Sequence, residues 1–396
     1  MERPQEPHRP RTWERLTLVA LACLAALLAS AQVVNEDALR KIELPAREGV
    51  IASLVELPGG VIAAAISMNG GVLLIDTGTW QVRRTIAVNG YHAGARLGTT
   101  ADGRWLQLKE LWRFTSDANK DVQGLQQVMD PATGAIVVDG GRAMDGALSA
   151  DGRVFATLDG GTVVVRTVPE GTARARFTVA GATNAIAIDP RGEVIAVSHR
   201  PTEEQLLTVP SVRTDRKGMK AALKFRQMIS FYSVDGRLLG TEPEIHDIVR
   251  ALAWTADGSR VLVYSSADLR MQPHLGNSIQ QLDLNMVDRP GRVEQIDASA
   301  MQPLRAAFSS LMNEPFLAVS PDGRTLALSS TDGHNKRKLT LYDTDSGDTR
   351  VLIDLEQKHR YDTRETEPHD GRLAYCWLSD GRLLVALGDN LGLYTP

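Results

Sequence analysis

The sequence predicts an all-β fold, a seven-bladed β-propeller, and three observations support this prediction. A glycine-containing turn recurs seven times between short apolar runs, at intervals of 40 to 66 residues. Each repeat has room for four short strands, which is the content of one propeller blade. The last repeat has only three, and the N-terminal segment offers a fourth that would close the ring and remove its exposed edges.

The recurring turn connects the first two strands of each predicted blade. Asp-Gly between two apolar runs is a strong hairpin signal, because glycine adopts the positive φ that tight turns require. Five of the turns contain Asp-Gly, and the other two combine proline with glycine. The seven turns are Pro58–Gly60, Asp102–Arg104, Asp151–Arg153, Pro190–Gly192, Asp257–Ser259, Asp322–Arg324 and Asp380–Arg382.

Repeat six shows the four-strand pattern most fully, with strands predicted at residues 316–320, 324–329, 338–343 and 350–354. An aspartate at the end of a third strand can cap the turn that follows it. The residues predicted to do so are Asp76, Asp130, Asp283 and Asp343. The blades are predicted at residues 51–88, 95–138, 143–179, 184–240, 249–296, 316–355 and 373–394. Residues 39–44 (Leu-Arg-Lys-Ile-Glu-Leu) are predicted to complete the last one.

The N-terminus has the pattern of a secretory leader. Four arginines precede an apolar stretch at residues 16–28, and Ala29-Ser30-Ala31 offers the small residues that a signal peptidase reads. We predict a signal peptide at residues 1–31, a single propeller domain at residues 32–396, and a periplasmic or secreted location. The alternative is an uncleaved anchor extending through residue 34, which would be the protein's one contact with a membrane.

Charge and cysteine content exclude two classes of function. The net charge of −4 is too small to predict a nucleic-acid partner. Of the two cysteines, Cys23 lies in the leader, so Cys376 has no disulfide partner within the mature chain. Cys376 falls in an apolar strand, and we interpret it as a packed small hydrophobic residue rather than a nucleophile.

Two runs carry a resemblance to a known group of proteins. Ser320-Pro-Asp-Gly-Arg-Thr-Leu-Ala327 and Tyr342-Asp-Thr-Asp-Ser-Gly347 resemble the WD40-like and YVTN-type propellers of exported bacterial proteins. The resemblance covers residues 39–396 and implies the fold, but such propellers host many activities. The Trp-Asp dipeptide of true WD40 repeats is absent. His246 falls roughly where the structural histidine of a WD40 repeat would lie, so we expect it to have a structural role.

Extra length is predicted on one face of the ring. Long connections are predicted at residues 112–124, 200–226, 266–277, 298–313 and 357–370. The first three would join strands two and three of a blade, and the last two would join successive blades. Both kinds of connection lie on the same side of a propeller, which we call the insertion face; the recurring turns lie on the opposite, turn face. Long loops on a rigid scaffold commonly carry binding sites.

The candidate binding residues are predicted in connections on the insertion face. They are His92, Arg113, His199, Arg200, His246, His274, His334 and His369. Histidine binds metals and transfers protons, so a divalent metal is the one candidate cofactor. Arg113, His199, Arg200 and His369 form our candidate cluster at the channel mouth. No His-x-x-His spacing appears, and the favoured interpretation is that polar residues simply concentrate in the longest loops.

A basic patch is predicted within the second insertion. It comprises Arg213, Arg216, Lys217, Lys220, Lys224 and Arg226. With Met219, Leu223 and Phe225, the lysines are spaced for a short amphipathic helix. Such a helix could attract an anionic partner or a membrane surface. The alternative, which we favour, is a solvated helix that packs on the rim of the ring.

The leading functional hypothesis is a non-catalytic scaffold that binds a protein partner through the insertion face. A small-molecule ligand is a further candidate, and no catalytic residue is predicted. Residues 117–121 resemble the start of a calcium loop, but Val122 and Val128 stand where the loop glycine and glutamate should be. The alternative function is an enzyme or enzyme subunit, since exported lactonases and the heavy chains of amine dehydrogenases are similar propellers.

Overall fold

Short runs rich in valine, leucine, isoleucine and alanine pair into seven small sheets, one for each predicted repeat. The chain is therefore an all-β, seven-bladed β-propeller, and the predicted fold class is confirmed. The computed structural model describes residues 32–34, 42–43, 51–66, 71–88, 95–110, 113–114, 121–266, 289–312, 317–331, 336–358, 373–387 and 390–396. The predicted signal peptide lies outside these residues.

Two short strands and the first three blades occupy the N-terminal half of the described chain. The leading strands are β1 (Gln32–Val34) and β2 (Ile42–Glu43). Blade one contains β3 (Ile51–Leu57), β4 (Val61–Ile66), β5 (Gly71–Asp76) and β6 (Val82–Ala87). Blade two contains β7 (Ala95–Thr99), β8 (Leu106–Glu110), β11 (Gly124–Met129) and β12 (Ile136–Ala143), with a small hairpin of β9 (Arg113–Phe114) and β10 (Asp121–Val122) between its second and third strands. Blade three contains β13 (Asp145–Leu148), β14 (Val154–Asp159), β15 (Thr162–Thr167) and β16 (Ala173–Thr178).

The remaining four blades follow in chain order. Blade four contains β17 (Thr183–Ile188), β18 (Val194–His199), β19 (Met228–Ser233) and β20 (Leu238–Thr241), and between β18 and β19 lie the helices α1 (Glu203–Thr208) and α2 (Arg216–Phe225). Blade five contains β21 (Ile248–Trp254), β22 (Arg260–Ser266), β23 (Arg289–Asp297) and β24 (Gln302–Met312). Blade six contains β25 (Ala318–Val319), β26 (Thr325–Thr331), β27 (Lys336–Asp343) and β28 (Thr349–Lys358). Blade seven contains β29 (Leu373–Trp377), β30 (Leu383–Leu387) and β31 (Asn390–Tyr394).

The N-terminal segment completes the last blade. Strand β2 pairs with β31, with Ile42 opposite Leu391 and Glu43 opposite Asn390, as predicted from residues 39–44. A second contact has no signal in the sequence: β1 runs parallel to β28 and adds a fifth strand to blade six. The N-terminal segment therefore pairs with the outer strands of two successive blades.

Blade five differs from the sequence prediction. Residues 298–313 are not a connection between blades, because β24 occupies most of that segment as the fourth strand. The turn before β24 was hidden because Met301, with a φ of 54°, takes the left-handed position that Gly134 and Gly347 fill in equivalent turns. Asp297 caps this turn by accepting hydrogen bonds from the backbone N–H groups of Ser299 and Ala300, at 2.9 Å each. Asp283, predicted for that role, lies outside the described residues.

Apolar clusters join neighbouring blades around the ring. Between blades one and seven, for example, Ile51 and Leu73 pack with Leu384 and Leu391. Among the described residues, seven such clusters occur, one at each junction between blades. Burial of this apolar surface stabilises the ring and fixes the positions of the connections on both faces.

The recurring turns lie together on the turn face. Asp322 Oδ1 accepts hydrogen bonds from the Ser320 hydroxyl at 2.6 Å and from the backbone N–H of Arg324 at 3.0 Å. These bonds lower the pKa of Asp322 below its usual value. Turns of adjacent blades also contact each other, since the N–H of Ala101 donates to the carbonyl of Ala150 at 2.7 Å. In the described part of the chain, no helix is long and apolar enough to span a bilayer.

Candidate functional site

The insertion in blade four folds into two capped helices. The Thr202 hydroxyl accepts a hydrogen bond from the N–H of Gln205 at 3.2 Å, and the Gln205 side chain accepts one from the N–H of Thr202 at 2.9 Å. This reciprocal capping box begins α1. Asp215 begins α2 by accepting a hydrogen bond from the N–H of Lys217 at 3.0 Å. The predicted amphipathic helix therefore forms as α2.

The two helices share a small apolar core with the start of β19. Its members are Leu206, Val209, Val212, Ala222 and Met228, with Met219, Leu223 and Ile245 packed against them. The apolar side of α2 is therefore turned toward the protein. This agrees with the favoured interpretation of the sequence, a helix that packs on the rim of the ring.

The opposite side of the insertion carries exposed positive charge. Five basic side chains are exposed here, and within the described chain none of them has a carboxylate oxygen within 4.0 Å. We call them the basic ridge: Arg213, Arg216, Lys217, Lys220 and Lys224. The sixth residue of the predicted patch, Arg226, differs because it forms an ion pair with Asp247.

The insertion is attached to the connection between blades four and five. Gln227 and His246 exchange two backbone hydrogen bonds, at 3.0 and 2.8 Å. The Gln227 side-chain oxygen also accepts a hydrogen bond from the N–H of Val249 at 2.9 Å. With the Arg226–Asp247 ion pair, these bonds hold the end of the insertion against the start of β21. They also place the two kinds of connection on the same face, as a propeller requires.

His246 forms the charged centre of this attachment. Its Nε2 lies 2.7 Å from Glu242 Oε2, and its Nδ1 lies 2.5 Å from Glu294 Oε2. Only 3% of His246 is exposed, and Glu242 is fully buried. Burial alone would lower the pKa of His246, but the hydrogen bonds and charges of the two glutamates outweigh it and raise the pKa to about 9. The ring is therefore an imidazolium that donates from both nitrogens.

His199 is the second described histidine, and it has the opposite character. Its ring is fully buried, with Nδ1 2.9 Å from the carbonyl oxygen of Arg200 and Nε2 2.6 Å from the Ser230 hydroxyl. A carbonyl can only accept, so Nδ1 carries the proton and Nε2 accepts from Ser230. Burial lowers the pKa of His199, and the Arg200 carbonyl opposes this only in part. This histidine is therefore neutral at pH 7.

The two described histidines lie beside the same segment of chain. His199 is opposite Met228 in the sheet, and His246 is opposite the preceding residue, Gln227. Each ring nevertheless has its own partners, and both nitrogen atoms of each ring are hydrogen-bonded to other groups of the protein. Arg200 is partly buried at the end of β18, where its N–H donates to the Ala182 carbonyl at 2.8 Å.

The other predicted binding residues are placed less fully or not at all. Arg113 lies in β9 opposite Val122, and nothing is described of its side chain. The remaining four, His92, His274, His334 and His369, lie outside the described residues, as do residues 117–120 of the calcium-like segment, whose last residue, Asp121, begins β10. In the described ranges, no group of three or more histidine, cysteine, aspartate or glutamate side chains is arranged to hold a metal ion. In the His246 cluster, both nitrogen atoms donate to carboxylates and neither offers a lone pair.

Two buried ionic contacts were missed by sequence reasoning. One comprises Glu242 and Glu294, the partners of His246; Glu294 belongs to β23, which the sequence prediction placed incorrectly. The other joins blades two and three, where Lys109 Nζ lies 2.5 Å from Asp145 Oδ1. The second carboxylate oxygen of Asp145 accepts a hydrogen bond from the N–H of Ile186 in blade four, at 2.9 Å. Neither contact has a local sequence signal, because Glu294 and Asp145 are far in the chain from His246 and Lys109, and Glu242, four residues from His246, lies outside any helix or strand.

Comparison with solved structures supports the propeller architecture, whereas comparisons of sequence find no match. No protein-family model and no curated protein sequence matches this chain. Among solved structures, hydrazine synthase from Kuenenia stuttgartiensis is similar, with a TM-score of 0.57 and 13% identity. The match covers 90% of this chain and 98% of that one. The likeness is one of fold. At this identity, neither the activity of that protein nor a subtype of propeller can be inferred for this chain.

Proposed function

We propose that this protein is an exported, WD40-like propeller of the YVTN type that binds a protein partner through its insertion face. The observation that carries the proposal is the two-helix insertion of blade four. It has its own apolar core, capped helices and a fixed attachment to the ring. A surface that is ordered before binding loses little conformational entropy when a partner docks, which favours recognition.

The composition of this surface supports a partner that is a protein. Leu207 of α1 is 57% exposed, although it is a large apolar residue, and four of the five residues of the basic ridge lie on the neighbouring helix, α2. An exposed apolar side chain together with exposed arginines, here Arg213 and Arg216, on one small insertion is typical of surfaces that contact other proteins. The ring supplies the rigid support for this surface, and the other long connections of the chain are predicted on the same side.

The test is site-specific photo-crosslinking in the native host. A photoreactive amino acid at Leu207 is expected to crosslink one defined protein in the extract. The same amino acid at Glu170, an exposed residue in a turn of the opposite face, serves as the matched control. Crosslinking from both positions to the same mixture of proteins, or from neither position, would contradict the proposal.

A further inference from the structure

We infer that the basic ridge binds a short acidic segment of the partner protein, about five residues long. This inference rests on the proposed scaffold function and names the chemistry of the partner. Its starting observation is that the ridge concentrates five exposed cations in a chain whose overall net charge is −4. The protein as a whole is therefore not a general binder of anions, and the attraction is local.

The spacing of the ridge fits one extended peptide. Lys217, Lys220 and Lys224 lie three and four positions apart on α2, so their side chains project from one face of the helix. A ten-residue helix is about 15 Å long. An extended segment advances about 3.3 Å per residue, so about five acidic residues would run the length of the ridge.

The helix ends are arranged so that the ridge keeps its charge. The nearest acidic residue in the sequence, Asp215, caps the N-terminus of α2 and, among the described residues, lies within 4.0 Å of no ridge cation; five positive charges and its one negative charge leave this surface at +4. Asp247 is committed to Arg226, which lies outside the ridge. The positive charge of the ridge is therefore directed at solvent, where long-range attraction increases the rate of encounter with an acidic segment.

An acidic protein segment fits this surface better than an anionic membrane does. Amphipathic helices bind bilayers by inserting their apolar face, but the apolar face of α2 is packed in the insertion's own core, with Ala222 only 1% exposed. Glu203 and Glu204 are exposed in the first turn of α1, which packs against α2. A flat anionic surface would meet these carboxylates together with the ridge, whereas a narrow peptide along α2 avoids them.

The binding test uses a defined probe and the whole mature chain. A fluorescent peptide containing six consecutive glutamates is expected to bind wild-type protein, and the corresponding glutamine peptide is not. The variant K217E/K220E/K224E should bind the acidic peptide at least about tenfold more weakly, since reversal replaces attraction by repulsion. Raising the ionic strength from 0.05 to about 0.5 M should weaken wild-type binding by a similar factor.

The control variant carries the same change in net charge elsewhere. R176E/R237E/R324E reverses three exposed arginines away from the insertion face and should bind the acidic peptide as the wild type does. A neutral variant, K217Q/K220Q/K224Q, repeats the test if the reversed one fails to fold, as judged by thermal unfolding. Equal loss in both reversed variants would overturn the inference, as would binding that is insensitive to all three.

Two further outcomes separate the inference from the proposed function. Vesicles rich in phosphatidylglycerol should not retain the protein at 0.15 M salt; retention that depends on the ridge, without peptide binding, would overturn the inference in favour of a membrane. If the protein crosslinked from Leu207 is still captured by K217E/K220E/K224E, the ridge is not its docking surface, although the scaffold function stands. If no protein crosslinks in the wild type, the scaffold function itself fails.

Discussion

The two described histidines lie beside the start of the same strand, β19, but have opposite protonation states. His246 lies between two carboxylates that hold its proton, whereas His199 is hydrogen-bonded to a carbonyl and a hydroxyl and has no charged hydrogen-bond partner among the described residues. Burial works against the charged ring in both places. The difference arises because only His246 gains enough from its neighbours to offset the cost of desolvation.

Replacing His246 by glutamine should remove a pH-dependent part of the stability. The folded pKa, about 9, lies above the ordinary value of 6.5, so the stabilisation is fully present below pH 6.5 and is lost as the pH rises through 9. Near pH 7 we expect His246→Gln to cost about 3 kcal/mol, because Glu242 is left buried without a counter-charge. The cost, measured by urea unfolding, should shrink between pH 7 and pH 10.

His199→Gln is the matched variant, and its pH dependence should have the opposite sign. The folded pKa of His199 lies below 6.5, so its contribution is present at neutral pH and is lost as the pH falls through that folded value. The difference from wild type should therefore shrink toward pH 4 and not toward pH 10. If the differences in unfolding free energy between wild type and each of the two variants changed with pH in the same direction, the assigned protonation states would be contradicted.

At the scale of the element, the same turn meets different surroundings in different blades. Gly103 and Gly323 occupy equivalent positions, with φ angles of 66° and 74°. A Cβ atom added to Gly103 would lie 1.9 Å from Pro58 Cδ in the turn of the preceding blade. A Cβ atom added to Gly323 would meet nothing within 4 Å. At both positions the positive φ disfavours a residue with a side chain. Only at Gly103 would the side chain also clash with a neighbouring turn.

Alanine at these two glycines should separate backbone strain from packing between blades. Gly323→Ala is expected to cost about 1 kcal/mol of unfolding free energy, the usual penalty for a left-handed non-glycine residue. Gly103→Ala should cost about 2 kcal/mol more, because the turns of blades one and two must move apart. Urea unfolding of the two variants under identical conditions makes the comparison. Equal losses of unfolding free energy would show that the packing of Gly103 against Pro58 does not contribute to stability.

At the scale of the whole molecule, the ring depends on a segment from the opposite end of the chain. Strand β2 gives blade seven its fourth strand, and Leu391, opposite Ile42, belongs to the apolar cluster between blades one and seven. Strand β1 instead adds a parallel fifth strand to the four strands of blade six. Loss of β2 would expose both a strand edge and the side of an apolar cluster.

Truncation should distinguish the two N-terminal strands. Relative to a chain that begins at Gln32, a chain that begins at residue 36 lacks β1 and should unfold within about 2 °C of it. A chain that begins at residue 46 lacks both strands and should unfold at least about 5 °C lower, a loss of several kcal/mol for a protein of this size. Calorimetry measures both shifts. Similar unfolding temperatures for all three chains would mean that β2 does not close the ring.

Local sequence patterns were enough to predict the number of blades, the position of most strands and the origin of the closing strand. These features depend on local physics: the alternation of apolar residues, and the glycine and aspartate chemistry of tight turns. The one blade that was misplaced shows the limit of such signals. In blade five, Met301 adopts a glycine-like φ, so the turn between β23 and β24 left no recognisable pattern.

The properties of the candidate site, in contrast, depend on contacts between different elements. The partners of His246 come from residues 4 and 48 positions away, and the contact between Lys109 and Asp145 crosses two blades. That α2 packs its apolar side into the protein, and does not offer it to a membrane, likewise depended on the core that the insertion builds with β19. Charge pairing, burial and protonation depend on the distances between side chains on different elements. Those distances are fixed only when the ring closes.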